Sequence, residues 1–278
     1  MDPNEVAAAM GLRIVGPTRH GESASTFEVR TADGADAVLK VSEGAPVDPD
    51  AHLLLDCIIG PGYPAVIPTE GWTTTDGTRY ELQARLPGEP VEQITAAHLA
   101  PVRALNEMQR GAAMEHLAGH PWLDDMIRTV VEGADGYCEH DAMQRHSDAT
   151  RAMLDRLVTI AGTARDARVP IRDVVHYDFS PYNILAEGDR ITGVVDWGGV
   201  RAGDASFDLV TLAFYTYDLG VRDELLAMTR GRTPPRAIAL YAAHMTLRQV
   251  DWSLRHQTET DAEWFMGIGD ALLGHVAG

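Results

Sequence analysis

The chain has 278 residues, with 23 Lys and Arg against 41 Asp and Glu, giving a formal net charge of −18 at pH 7. Its 45% hydrophobic and 23% charged residues match a soluble globular composition and exclude disordered, collagenous and fibrous classes. Such a negative field repels phosphate backbones and anionic headgroups, so the expected partner is a cationic small molecule rather than nucleic acid or membrane.

Met1-Asp2-Pro3-Asn4-Glu5 carries no basic leader, and no apolar run nears the ~18 residues that span a bilayer. The expectation is a cytoplasmic protein, monomeric or weakly dimeric. Cys57 and Cys138 lack metal-ligand spacing and read as packing thiols. Of the basic residues 22 are Arg, and Lys40 is the single Lys. A compact ammonium kept at one position marks a site where a guanidinium does not serve.

In chain order, Thr26–Arg30 and Ala37–Val41 read as strands joined across the Asp33-Gly34 turn into an antiparallel hairpin. A helix is expected over Pro49–Ile59, ended by Gly60-Pro61-Gly62-Tyr63-Pro64. Strands near Ala65–Ile67 and Thr78–Leu86, with Asp76-Gly77 as a turn, complete the sheet. Pro87-Gly88-Glu89-Pro90 breaks this pattern and the period becomes helical. Leu99, Val102, Leu105 and Met108 mark one helix; Leu154, Leu157, Val158, Ala161 and Ala164 mark another. Helices are also predicted over Phe207–Leu219, Arg236–His256 and Asp261–Val276. The organisation is α+β, with a β-rich lobe over 1–87 and a mainly helical lobe over 88–278.

The stretch from His176 to Trp197 carries the chemistry. Asn183-Ile184-Leu185-Ala186 and Ile191–Val195 flank Glu187-Gly188-Asp189-Arg190 as a second hairpin. Centring it between Asp189 and Arg190 places Asn183 opposite Asp196 at the open end. Asp178 lies five residues before Asn183. Oxygen ligands converging at a hairpin mouth suit Mg2+, and magnesium implies a phosphate.

His176-x-Asp178 with Asn183, followed by Val194-Val195-Asp196-Trp197, resembles the aminoglycoside phosphotransferase family of antibiotic kinases. The resemblance implies a two-lobed protein-kinase-like fold, with Asp178 as the catalytic residue and Asn183 and Asp196 on Mg2+. Gly203-Asp204-Ala205-Ser206-Phe207-Asp208-Leu209 is similar to a further family segment, which gives Asp208, like His176, a structural role at the site. Gly21-Glu22-Ser23-Ala24-Ser25-Thr26-Phe27 resembles the family's nucleotide loop, so Ser23 and Ser25 are candidate phosphate contacts. Ala37-Val38-Leu39-Lys40 resembles the strand whose lysine grips the phosphates. The family pairs that lysine with a helix Glu; here Asp50 is the candidate. Tyr80–Gly88 resembles the hinge, which would bring adenine to the backbone of Ala84 and Leu86. Tyr177 stands where Gly is common.

The implied reaction is phosphorylation of a hydroxyl on a cationic antibiotic by ATP, or GTP, with Mg2+. The antibiotic would be an aminoglycoside or a capreomycin- or viomycin-type cyclic peptide. Residues 88–200 carry 18 acids and 10 bases, which suits a polycation, and Asp251, Glu259, Asp261 and Glu263 are candidate acceptor contacts. Choline, homoserine and thioribose kinases share these motifs. A metal-dependent hydrolase and a nucleotide-binding pseudokinase are the alternatives from other classes.

Overall fold

Alternation of side chains across a pleated strand sorts the N-terminal residues into two faces. The computed structural model describes residues 3–17, 25–43, 49–67, 70–73, 77–117, 121–134 and 138–277. Helix α1 (Pro3–Ala9) precedes β1 (Arg13–Pro17), β2 (Ser25–Arg30), β3 (Asp36–Glu43), α2 (Pro49–Ile59), β4 (Glu70–Thr73) and β5 (Thr78–Ala84). The strands form an antiparallel sheet in the order β1-β2-β3-β5-β4. Val29, Ala37, Leu39, Tyr80 and Leu82 point to one face and bury against Val6, Ala7 and Leu12. Lys40, paired in register with Thr26 and Glu81, therefore points to the other face.

Past β6 (Glu89–Pro90) the chain is mainly helical: α3 (Leu99–Gln109), α4 (Trp122–Glu132), α5 (Asp141–His146) and α6 (Asp148–Thr163). Then follow β7 (Asp173–Val175), β8 (Ile184–Glu187), β9 (Arg190–Val194) and β10 (Arg201–Gly203), and after them α7 (Ser206–Phe214), α8 (Leu219–Ala227), α9 (Pro235–His256) and α10 (Glu259–Ala277). β6, β8 and β9 make a three-stranded sheet, and β10 pairs with β7. Helix α9 is central, packed against α4, α5, α6, α7 and α10. The large hydrophobic core includes Leu54, Leu55 and Ile58 of α2, and this helix packs against β7 and β10 although it lies before residue 87. No described helix is long and apolar enough to cross a membrane.

Three expectations need correction. Ala65–Ile67 is not a strand: Pro64 and Pro68 leave only three residues between them, Ala65 N–H turns back to Tyr63 O at 2.8 Å, and the strand lies at β4 instead. The helix expected over Phe207–Leu219 ends at Phe214, and a separate helix starts at Leu219. Asp218 caps α8 by accepting Val221 N–H at 3.1 Å, and the Arg222 guanidinium holds Thr216 O at 3.0 and 2.7 Å, so the chain turns between them. The β8–β9 hairpin turns at Gly188-Asp189, with Gly188 at φ +61°, and carries a bulge at Leu185/Ala186. Ile184 therefore pairs with Val194, and Val195 N–H bonds Asn183 O at 2.9 Å, which puts Val195 rather than Asp196 across from Asn183.

Candidate active site

Strand β7 is buried throughout and delivers His176, Tyr177 and Asp178 at its C-terminal end. Asp208, in the first turn of α7, accepts His176 N–H at 2.8 Å, Tyr177 N–H at 3.0 Å and Gln109 Nε2–H at 2.7 Å. Burial pushes its carboxyl up to about 7, and these three donors pull against that rise. His176 is a bridge. Asp178 N–H donates to its Nδ1 at 3.2 Å, which leaves Nε2–H to donate to Val195 O at 2.8 Å. Burial lowers its pKa against the opposing pull of Asp178, consistent with a neutral ring that ties the Asp178 loop to the residue before Asp196.

Tyr177 has φ +74°, the left-handed region that glycine adopts freely and that costs a residue with a β-carbon about 1–2 kcal/mol. Its side chain is held on several sides. The ring stacks on Phe207 at 5.2 Å, its hydroxyl shares a hydrogen bond with His244 Nε2 at 3.1 Å, and Arg201 Cζ lies 3.8 Å from the ring centroid.

Asn183 Nδ2–H donates to Asp178 O at 2.8 Å and Asp178 Oδ2 at 3.2 Å, so its carbonyl oxygen is the atom available to a cation. Asp196, left-handed at φ +63°, ion-pairs with Lys40. Burial would raise the Asp196 carboxyl, but the charge of Lys40 and its hydrogen bond outweigh that and hold it below the usual range. Among the described residues no three His, Cys, Asp or Glu side chains gather as a metal cluster. One carboxylate and one amide oxygen fit Mg2+, which takes few protein ligands and completes its shell with phosphate and water.

The structure thus brings Lys40, Asp178, Asn183, Asp196, His176 and Asp208 into one constellation. Asp50 lies exposed in the first turn of α2, while Lys40 pairs with Asp196. Ser25 opens β2 opposite Val41, and Ser23 lies outside the described residues. Ala84 ends β5 opposite Ala37; Leu86 packs against Gly193 of β9, where a β-carbon would lie 2.8 Å from its Cδ1.

The four acceptor candidates divide. Asp251 is buried and paired with Arg255, which also reaches Glu139 and Asp141. Asp261 accepts Thr258 N–H at 3.0 Å and caps the start of α10, while Glu259 and Glu263 are exposed. Sequence reasoning missed Arg248 of α9, whose Nη2 donates to Asp178 Oδ1 at 2.7 Å and whose Nη1 donates to Tyr177 O at 2.9 Å. A signal existed: His244, Arg248, Asp251 and Arg255 follow one another at helical spacing and so fall on one side of the helix. Tyr182, Tyr217 and Trp264 are 50%, 45% and 47% exposed, and the last two meet edge to face at 5.3 Å.

The sequence profile described as the phosphotransferase enzyme family matches residues 15–241. A hygromycin-B 4-O-kinase of Escherichia coli is 30% identical over 112 residues, 39% of this chain and 33% of that protein; the match thus spans about a third of the relative's length. The crystal structure of a thermostable mutant of aminoglycoside phosphotransferase APH(4)-Ia superposes with a TM-score of 0.74 at 19% identity, covering 98% of both chains. A ternary complex of that protein with AMP-PNP and hygromycin B gives 0.78 at 19% identity over 99% of this chain and 98% of the other. Macrolide 2'-phosphotransferase MphH from Brachybacterium faecium gives 0.56 at 18% identity, covering 95% of both chains. These structural likenesses establish a kinase-like fold.

Proposed function

The chain belongs to the phosphotransferase enzyme family, and from that premise we propose that it transfers the γ-phosphoryl group of ATP, or GTP, to a hydroxyl of a cationic aminoglycoside in the cytoplasm. The observation that carries this reading is the meeting of Lys40, from the N-terminal sheet, with Asp196 beside Asn183 and Asp178. Residues 1–87 would form the nucleotide lobe and 88–278 the catalytic and acceptor lobe.

Phosphoryl transfer passes through a loose transition state, so this chain's task is positioning and charge neutralisation. Lys40 moves from Asp196 to the α- and β-phosphates when nucleotide enters. Mg2+, held by Asn183 and Asp196, supplies positive charge to the phosphate oxygens when bound. Asp178 accepts a hydrogen bond from the acceptor hydroxyl and aligns it with phosphorus. The new O–P bond forms as the bond to the nucleoside diphosphate breaks, and the hydroxyl proton passes to the Asp178 carboxylate. His176 and Asp208 hold the loop and touch no substrate.

An aminoglycoside acceptor is supported by the similarity to the hygromycin-B kinase and by the structural neighbours that hold hygromycin B. Tyr182, on the loop between Asp178 and Asn183, and the Tyr217–Trp264 pair offer aromatic faces to sugar C–H groups and to ammonium groups, and the exposed Glu259 and Glu263 of α10 offer charge. The test is incubation with ATP or GTP and MgCl2 against hygromycin B, other aminoglycosides, capreomycin and viomycin, read by product mass. One added phosphate on an aminoglycoside is expected. Inorganic phosphate without a phosphorylated acceptor would favour hydrolysis, and nucleotide binding without turnover would favour a pseudokinase; either result contradicts the proposal.

A further inference from the structure

Asp178 has to present its carboxylate to an acceptor hydroxyl in a fixed orientation, yet it lies on a loop whose preceding residue is held in an uncommon backbone conformation. Asp208 fixes the start of that loop through the N–H groups of His176 and Tyr177. Neither contact sets the rotation of the Asp178 side chain. Two other donors do. Asn183 Nδ2–H reaches Oδ2 at 3.2 Å, and Arg248 Nη2–H reaches Oδ1 at 2.7 Å.

Arg248 does more than pair a charge. Its second nitrogen, Nη1, donates to Tyr177 O at 2.9 Å, so one planar guanidinium spans a backbone carbonyl and the carboxylate of the next residue. That fork fixes the Tyr177–Asp178 peptide relative to the Asp178 side chain, which a single-point ammonium cannot do. Four residues earlier on α9, His244 holds the Tyr177 hydroxyl at 3.1 Å. The helix therefore grips the loop at three atoms: the Tyr177 hydroxyl, the Tyr177 carbonyl and the Asp178 carboxylate. Each carboxylate oxygen accepts two hydrogen bonds, so the fork and Asn183 together still leave room for the acceptor hydroxyl.

We propose that Arg248 is the positioning residue for Asp178 in phosphoryl transfer, an inference that rests on the proposed function. Arg248 takes no proton and forms no bond to phosphorus. It sets the plane and rotation of the carboxylate that receives the hydroxyl proton as the O–P bond forms and the bond to the nucleoside diphosphate breaks.

The experiment measures steady-state transfer to the acceptor that the wild type phosphorylates, using the wild type, R248A, R248K and D178N. A misplacement of about an ångström at the reacting groups costs ~10²-fold, so R248A is expected to lose about that much kcat with the nucleotide KM within about twofold. R248K keeps the charge and loses the fork; it is expected to remain at least ~10-fold below wild type. Guanidinium chloride, at concentrations below unfolding, restores part of the R248A rate, whereas equal NaCl does not and D178N responds to neither. A purely structural role would give no such rescue. The proposal is overturned if R248A retains kcat within about threefold of wild type, if its loss lies wholly in nucleotide KM, or if guanidinium fails to restore transfer. If R248A does not fold, R248K decides: a rate matching wild type overturns the proposal. Absence of wild-type transfer to every acceptor removes the proposed function and this inference with it, whereas transfer unaffected by Arg248 substitution removes this inference alone.

Discussion

Replacing His244 by Gln tests how the Tyr177 ring is held. The imidazole is fully buried on α9; burial first, then the charges of Arg248 and Arg201, lower its pKa from 6.5 to about 3. In the unfolded chain the ring takes a proton as the pH drops below 6.5, whereas in the folded protein it stays neutral until about 3. The unfolded state thus binds more protons across this window. The stability from the neutral ring is complete above the unfolded pKa and is lost as the pH falls towards the folded one. From pH 7 to pH 5 the unfolded ring gains roughly 1.4 pH units' worth of protonation, which at ~1.36 kcal/mol per unit removes about 2 kcal/mol from the wild type. The glutamine amide of the variant does not titrate. Urea unfolding of wild type and H244Q at both pH values gives the stability gap between them, and the contribution of His176, also lowered by burial, cancels in that gap. The gap should shift by about 2 kcal/mol in favour of H244Q on acidification. A gap that does not move with pH would refute a neutral, buried His244.

Lys40→Ala removes the charge that faces Asp196 and, in the proposed function, the phosphates; kcat/KM for nucleotide should fall ~10²–10³-fold in a nucleotide titration. Gly203→Ala places a β-carbon 2.4 Å from Trp122 Cε3, and this overpacking should cost about 1–3 kcal/mol in denaturant unfolding. Asp261→Ala deletes the cap on Thr258 N–H and should cost ~1 kcal/mol of stability with acceptor KM unchanged. A raised acceptor KM would instead make Asp261 a substrate contact.

The parts of the fold that sequence reveals are those written in short-range pattern. Apolar alternation marks β2 and β3, and Asp33-Gly34 marks their turn, so Lys40 could be placed on a strand from its neighbours alone. Asp178, Asn183 and Asp196 lie within one hairpin and the loop before it, and their order in the chain is nearly their order in space. The register slipped by one because the turn uses Gly188 at positive φ and the ladder carries a bulge, and nothing in the apolar pattern distinguishes Gly188-Asp189 from Asp189-Arg190. The break before α8 was hidden because Thr216, Tyr217 and Asp218 interrupt an otherwise helical period only through a cap and an Arg222 contact. Arg248 escaped for a different reason. It meets Asp178 from 70 positions away, and that meeting depends on how α9 docks against the end of β7 rather than on any local motif.

In the proposed function Asp178 acts on an acceptor hydroxyl after nucleotide binds at Lys40 and Asp196. The most direct measurement compares nucleotide affinity and phosphoryl transfer in the wild type and Asp178→Asn. We expect an ATP dissociation constant unchanged within about threefold and transfer reduced ~10³-fold, because the substitution removes only the group that takes the proton. Near-normal transfer by the variant, or loss of nucleotide binding with loss of transfer, would contradict it.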